Sequence, residues 1–252
     1  MAIADVALAA IFGAAVGSFL NVVVHRLPRH ESLVAPGSHC PSCQSPVWAY
    51  DNVPVLAWMW LRGRCRACRA KISARYPLVE AATAVLCASV VATRSSAAGI
   101  VLGLLAVIVL IPVAMIDLEH HIIPNRITLP TAIAAATAGT ALDPSGELQR
   151  LIAAGAAGGA FLVVAMISPR GMGMGDVKLV GLLGLLLGKE VAPAILIALI
   201  VGVVTGMIVL ARLPAERRKG AGVPFGPFLA IGGIAALFAG HAILDAYLHQ
   251  LT

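Results

Sequence analysis

Eight apolar runs, at about 3–24, 77–93, 97–116, 127–142, 151–168, 179–188, 191–211 and 223–245, follow one another along this chain. Most approach the roughly 20 residues that a helix needs to cross a hydrocarbon core of about 30 Å. No water in that medium can satisfy an exposed backbone amide, so an isolated strand is excluded and each run is expected to be helical. Nor are there enough polar side chains to cover a soluble surface: 60% of residues are hydrophobic and 12% charged, with a mean hydropathy of +0.93. The pattern predicts an all-α polytopic membrane protein, with about eight transmembrane helices in a lipid bilayer.

Charge placement bears on the count. The run at 179–188 is short, and only Lys189 and Glu190 separate it from the next, so one long broken helix over 179–211 is the alternative. Eight crossings with the amino terminus outside leave only Arg94, Arg150 and Lys189 of the 18 lysines and arginines on the outer side. That asymmetry fits the positive-inside rule, whereas fusion would move the Arg217–Lys219 cluster outside. The net charge of +6 then reflects loop orientation. No aromatic-rich basic surface speaks for nucleic acid, although the basic stretch at 212–219 suits anionic lipid headgroups. The opening "MAIADVALAA" carries Asp5 and no cation before Arg26, which predicts a retained first helix over 1–24 rather than a cleaved signal.

Residues 25–76 form the one sizeable polar segment, too poor in apolar mass to build its own core. Cys40 and Cys43 make one C-x2-C pair, Cys65 and Cys68 another, with 21 residues between the pairs. Two such turns can close four thiolates around one Zn²⁺. On the topology above the segment faces the cytoplasm, where disulfides are disfavoured. Four sulfurs leave no open position for water, so the ion is expected to be structural; such sites contribute roughly 10–16 kcal/mol to folding in small peptides. Cys87, inside an apolar run, reads as packing, and His39 as a surface residue. Trp48, Trp58 and Trp60 either anchor the segment at the membrane interface or fill its small core. Beyond it, 77–252 reads as one helical core.

Two aspartates close the argument from residues. Asp117 ends the charge-free run at 97–116, and Asp176 opens the run at 179–188 within "GMGMGDVKL". The topology puts both at the cytoplasmic side, where they can meet. Two carboxylates within a few Å cannot both ionise easily; one then serves as base toward a water while the other, protonated, polarises a carbonyl. Each residue alone has a plainer reading, since an aspartate at a helix start often only caps it. Gly173 and Gly175 are expected to let backbone approach closely and to accept unusual torsions where a peptide substrate lies. Pro112, five residues before Asp117, either kinks its helix or simply packs. Because intramembrane carboxylates also mark ion pathways, a zinc-stapled transporter or channel is the competing reading.

Several ordered motifs resemble the bifunctional prepilin peptidases, bacterial membrane enzymes that process type IV prepilins and related pseudopilins. They are "GSFLNVVVHRLP" (17–28), both cysteine pairs, "ISARYPLVE" (72–80), "DLEHHIIP" (117–124), "GMGDVKL" (173–179) and "PFGPFLA" (224–230). The resemblance implies an aspartic endopeptidase of the GxGD type, with Asp117 and Asp176 as its catalytic pair, that cuts a leader after glycine at the cytoplasmic face of the inner membrane. Members with the cysteine domain also methylate the new amino terminus from S-adenosylmethionine. Methylation is therefore implied here, although no glycine fingerprint locates the donor site; Gly63, in "RGRC", is the candidate because it flanks the second cysteine pair.

Overall fold

The computed structural model describes residues 2–168, 171–212 and 223–249, whose regular elements are helices, with no named strand among them. Arg170 and the Arg217–Lys219 cluster, which the topology argument used, lie outside the described residues. The helices are α1 (Ile3–Arg26), α2 (Leu56–Trp60), α3 (Arg75–Thr93), α4 (Ala97–His120), α5 (Asn125–Leu142), α6 (Pro144–Ile167), α7 (Met174–Leu187), α8 (Val191–Arg212) and α9 (Gly226–His249). All but the five-residue α2 coincide with the apolar runs.

Among the described residues six segments are long and apolar enough to cross a membrane, where the pattern predicts eight crossings. The difference has two sources. α5 carries Asn125, Arg126, Pro130 and four threonines, which lower its hydropathy below that of its neighbours. Met174–Arg212 counts as one 39-residue segment, although Gly188, with φ +59°, and a single 3-10 turn over Gly188–Glu190 divide it into α7 and α8.

The chain forms two compact units, Met1–Ser95 and Ser96–Thr252. The first joins α1 and α3 to the cysteine segment, so α3 belongs with α1. Their close packing follows from two small residues one turn apart. A Cβ on Gly13 would come within 2.7 Å of Thr83 O, and one on Gly17 within 2.8 Å of Glu80 Cα. Such positions let apolar helices touch through their backbones where no hydrophobic effect drives them together. Buried Asn21 ties the pair, its Nδ2 donating to Gly17 O and Tyr76 O at 3.2 Å each. Cys87 is fully buried against Gly13, the packing role expected of it. Of the tryptophans, Trp58 is partly buried and donates to Ile72 O at 3.2 Å, as a residue of the small core would, and Trp60 is 83% exposed.

In the second unit α6 lies along α7, α8 along α9, and α4 against α5, α7 and α9. Leu110, Ile116, Leu179, Leu183 and Leu229 fill its centre. At the turn between α5 and α6 buried Arg150 is fully engaged: Nε donates to Glu147 Oε2 at 2.9 Å, Nη1 to Asp143 Oδ2 at 2.8 Å, and Nη2 to Asp143 O at 2.7 Å and Gly139 O at 3.2 Å. The Arg150 guanidinium holds the Asp143 carboxyl below the usual range. Charge inside this apolar unit is tolerated there because each guanidinium nitrogen finds an acceptor.

Gly17→Val is expected to force α1 and α3 apart and lower stability by about 1–3 kcal/mol, the usual cost of overpacking. A thermal-melt shift of the detergent-solubilised protein measures it.

Candidate active site and cysteine centre

The two cysteine pairs fold into matching turns. In the first, Cys40 N–H donates to Ser45 O at 2.9 Å and Gln44 N–H to Cys40 O at 2.8 Å; in the second, Cys65 N–H donates to Ala70 O at 2.8 Å and Arg69 N–H to Cys65 O at 3.0 Å. Each turn closes through a left-handed residue, Gln44 at φ 59° and Arg69 at φ 62°, and each carries one isolated bridge, His39 with Pro46 and Arg64 with Lys71. The result brings all four sulfurs within 4.8 Å of one another, with Cys40 to Cys68 at 3.8 Å and Cys43 to Cys65 at 4.0 Å. Sulfurs bound tetrahedrally at about 2.3 Å to Zn²⁺ lie roughly 3.8 Å apart, so the donor set fits that ion.

Electrostatics point the same way. Hydrogen bonds to Ser45 bring the Cys43 thiol down to about 6, and the Cys68 and Ala67 amides lower that of Cys65. At Cys68 the Ala70 amide pulls downward, but neighbouring Cys43 and Cys65 push the thiol up to about 11. Four sulfurs this close can all ionise only with a cation among them. Beside the cluster, Arg66 bonds both oxygens of Asp51 at 2.6–3.1 Å and lies 5.4 Å from the centre of the Tyr50 ring, itself stacked on Trp48.

In the second unit Asp117 and Asp176 lie at the ends of two helices packed on each other, α4 and α7, close enough to act on one another electrostatically. Asp117 is buried in the last turn of α4. The chain leaves that helix through His121, whose left-handed backbone (φ 53°) directs its N–H to Asp117 O at 3.0 Å. Asp117 Oδ2 accepts the Gly226 N–H at 2.9 Å, from the first turn of α9. A Cβ on Gly226 would sit 2.7 Å from that oxygen, so only glycine brings its amide this near. Asp176, half-buried, caps α7 by accepting the Gly173 N–H at 3.3 Å. Among the described residues neither carboxylate has a cation within salt-bridge distance; nearby Lys178 donates to Asn125 Oδ1 at 3.1 Å.

Gly226 is the site residue that sequence reasoning missed. The signal was the "PFGP" in a motif noted only for its resemblance. The torsional expectation for the two neighbouring glycines is not met: Gly173 has φ −78° and Gly175 lies within regular helix. What glycine provides is room, because a Cβ on Gly175 would approach Ile123 Cβ to 2.9 Å. Gly63 has the positive torsion instead, φ +64°, and a Cβ there would stand 2.8 Å from the Trp58 ring. It shapes the first unit by seating that indole.

Two family descriptions match in tandem: the bacterial peptidase A24 N-terminal domain over residues 11–94 and the type IV leader peptidase family over 104–210. Curated relatives span nearly the whole chain. A prepilin leader peptidase/N-methyltransferase of Aeromonas hydrophila is 37% identical over 94% of this chain and 92% of its own length. Proteins of the same description from Stutzerimonas stutzeri and Pseudomonas aeruginosa are 36% and 34% identical, covering 98% and 94% of this chain and 94% and 91% of theirs. The chain belongs to the type IV leader peptidase family. The two matched domains fall within the two compact units of this family member, the cysteine centre in the first and both aspartates in the second. No solved structure matches it significantly.

Purified protein is expected to hold one Zn²⁺ per chain, and Cys65→Ser to lose most of it. Metal analysis by mass spectrometry reads both.

Proposed function

We propose that this protein is a multi-pass peptidase of the bacterial inner membrane. It cuts the leader from type IV prepilins or pseudopilins after a glycine at the cytoplasmic face, using Asp117 and Asp176, and then methylates the exposed amine. The observation that carries the reading is the placement of these two carboxylates at the ends of packed helices α4 and α7, neither within salt-bridge distance of a cation among the described residues, in a chain whose relatives bear both activities in their name. The competing ion-pathway reading is not what those relatives carry.

Backbone amides hold Oδ2 of each aspartate, Gly226 that of Asp117 and Gly173 that of Asp176. The other oxygen of each stays available for a water and for the substrate carbonyl. One carboxylate takes the proton as water attacks the carbonyl carbon; the other, carrying a proton, donates it to the carbonyl oxygen. The tetrahedral carbon then expels the amine, which leaves protonated. A helical peptide bond is poorly accessible, so the junction must unwind first, and glycine there lowers that cost by about 1 kcal/mol relative to alanine. Gly173, beside Asp176, leaves side-chain-free backbone for an extended substrate, and Gly175 lets Ile123 close on α7 next to it.

Zinc in this scheme is a staple that holds the amino-terminal unit. S-adenosylmethionine, when bound, supplies an electrophilic methyl group on a sulfonium. The amino-terminal unit contains a cavity of about 1170 Å³, lined by aromatic rings and by charged side chains of both signs, and its aromatic faces suit a cationic donor. Gly63 acts on this activity through Trp58, which lines that cavity.

Asp117→Asn and Asp176→Asn are each expected to slow cleavage of a glycine-junction prepilin by at least about 100-fold, read by mass spectrometry of the product's amino terminus in membranes with matched expression. Wild-type turnover in either variant would remove the dyad. Gly226→Ala is expected to reduce kcat by about tenfold with little change in KM, since it displaces Asp117 without touching the substrate path.

A further inference from the structure

Inside the amino-terminal unit one buried carboxylate has no part in peptide cleavage. Glu80, on α3, is 8% exposed, and its one hydrogen bond among the described residues is from the Val55 N–H to Oε2 at 2.7 Å. Among the described residues no cation lies within salt-bridge distance of it. The chain treats buried Glu147 otherwise, pairing it with Arg150 at 2.9 Å. A carboxylate taken out of water without a counter-ion is costly unless a ligand supplies one. Glu80 lines the cavity of about 1170 Å³, together with Asn21, Trp48, Trp58 and Tyr76. That volume exceeds what one small ligand fills and suits two reactants side by side.

The charge pattern selects the occupant. Arg26, Arg66 and Lys71 share the lining, so the cavity is no acidic trough for a polybasic leader. A single buried carboxylate suits a single compact cation. Rings such as Trp48 and Trp58 are the class of side chain that attracts a sulfonium.

We infer that Glu80 receives the amino-terminal ammonium of the cut pilin and takes its proton, while the same cavity holds a sulfonium methyl donor. The inference rests on the methylation reading above. An α-ammonium is mostly protonated at neutral pH and cannot attack. One of its N–H bonds breaks and the proton moves to Glu80. The freed nitrogen lone pair bonds to the methyl carbon as the carbon–sulfur bond breaks, its electrons returning to sulfur to leave a neutral thioether. The product is a secondary ammonium, and Glu80 returns its proton to solvent.

The test uses full-length protein in nanodiscs and a synthetic peptide that begins with the free phenylalanine of a cut pilin, beside its N-acetylated twin. Binding is read by quenching of the tryptophan emission, methylation by mass, and cleavage on an uncut prepilin. Wild type is expected to bind the free amine at least about tenfold tighter than the acetylated peptide. Glu80→Gln keeps an acceptor for the Val55 N–H, so it is expected to retain zinc and cleavage. It should lose the preference for the free amine and methylate about 100-fold more slowly, with Glu80→Asp restoring part of both. A Glu80→Gln protein that methylates at the wild-type rate, or keeps the preference, overturns the assignment of Glu80 alone. Cleavage by wild type with no methylation of the free amine overturns the methylation reading beneath it.

Discussion

A peptide group in hydrocarbon must find its partner within its own helix, and the amides left over lie at helix beginnings. Both proposed catalytic carboxylates are held by such amides. Gly173 N–H, at the cap of α7, binds Asp176, and Gly226 N–H, in the first turn of α9, binds Asp117. The positive ends of two helix dipoles thus stand beside the two acids. An arginine in that place would pair with a carboxylate and occupy it, as Arg150 does for Asp143 and Glu147. Amides position the acids and leave them free to exchange protons.

The same constraint shapes the amino-terminal unit from the other direction. Its polar segment has little apolar area to bury, so order there comes from the two cysteine turns, from the bidentate Asp51–Arg66 pair and from the Trp58 indole bonded to Ile72 O. Two turns of five residues, each ended by a left-handed residue, bring the sulfurs together before any metal is considered. Glycine 63 matters to this arrangement for the space it leaves an indole.

The parts of this architecture legible in sequence were those encoded over short separations. Helix positions followed from apolar runs, and the cysteine centre from two pairs whose spacing is the geometry of the turn. Asp176 could be placed because its capping partner lies three residues away. The Gly226 contact with Asp117 spans 109 residues and depends on where α9 meets α4, which no local pattern encodes. The torsional freedom expected of Gly173 and Gly175 misread what the glycines do, because crowding by Ile123 comes from another part of the chain. Glu80 sat within a noted motif, yet its burial without a counter-ion emerges only once Val55 folds against it.

On α5, the hydroxyls of Thr128, Thr131, Thr137 and Thr140 bond to carbonyls one turn back: Pro124, Ile127, Ile133 and Ala136. None of these bonds reaches a neighbouring helix, whereas at its first residue Asn125 takes a hydrogen bond from Lys178 on α7. The helix is held by polar contacts at both ends, by Lys178 at Asn125 and by Arg150 at Gly139 O. Its threonines spend their hydroxyls within the helix, so between those two anchors α5 meets its neighbours through side-chain shape alone.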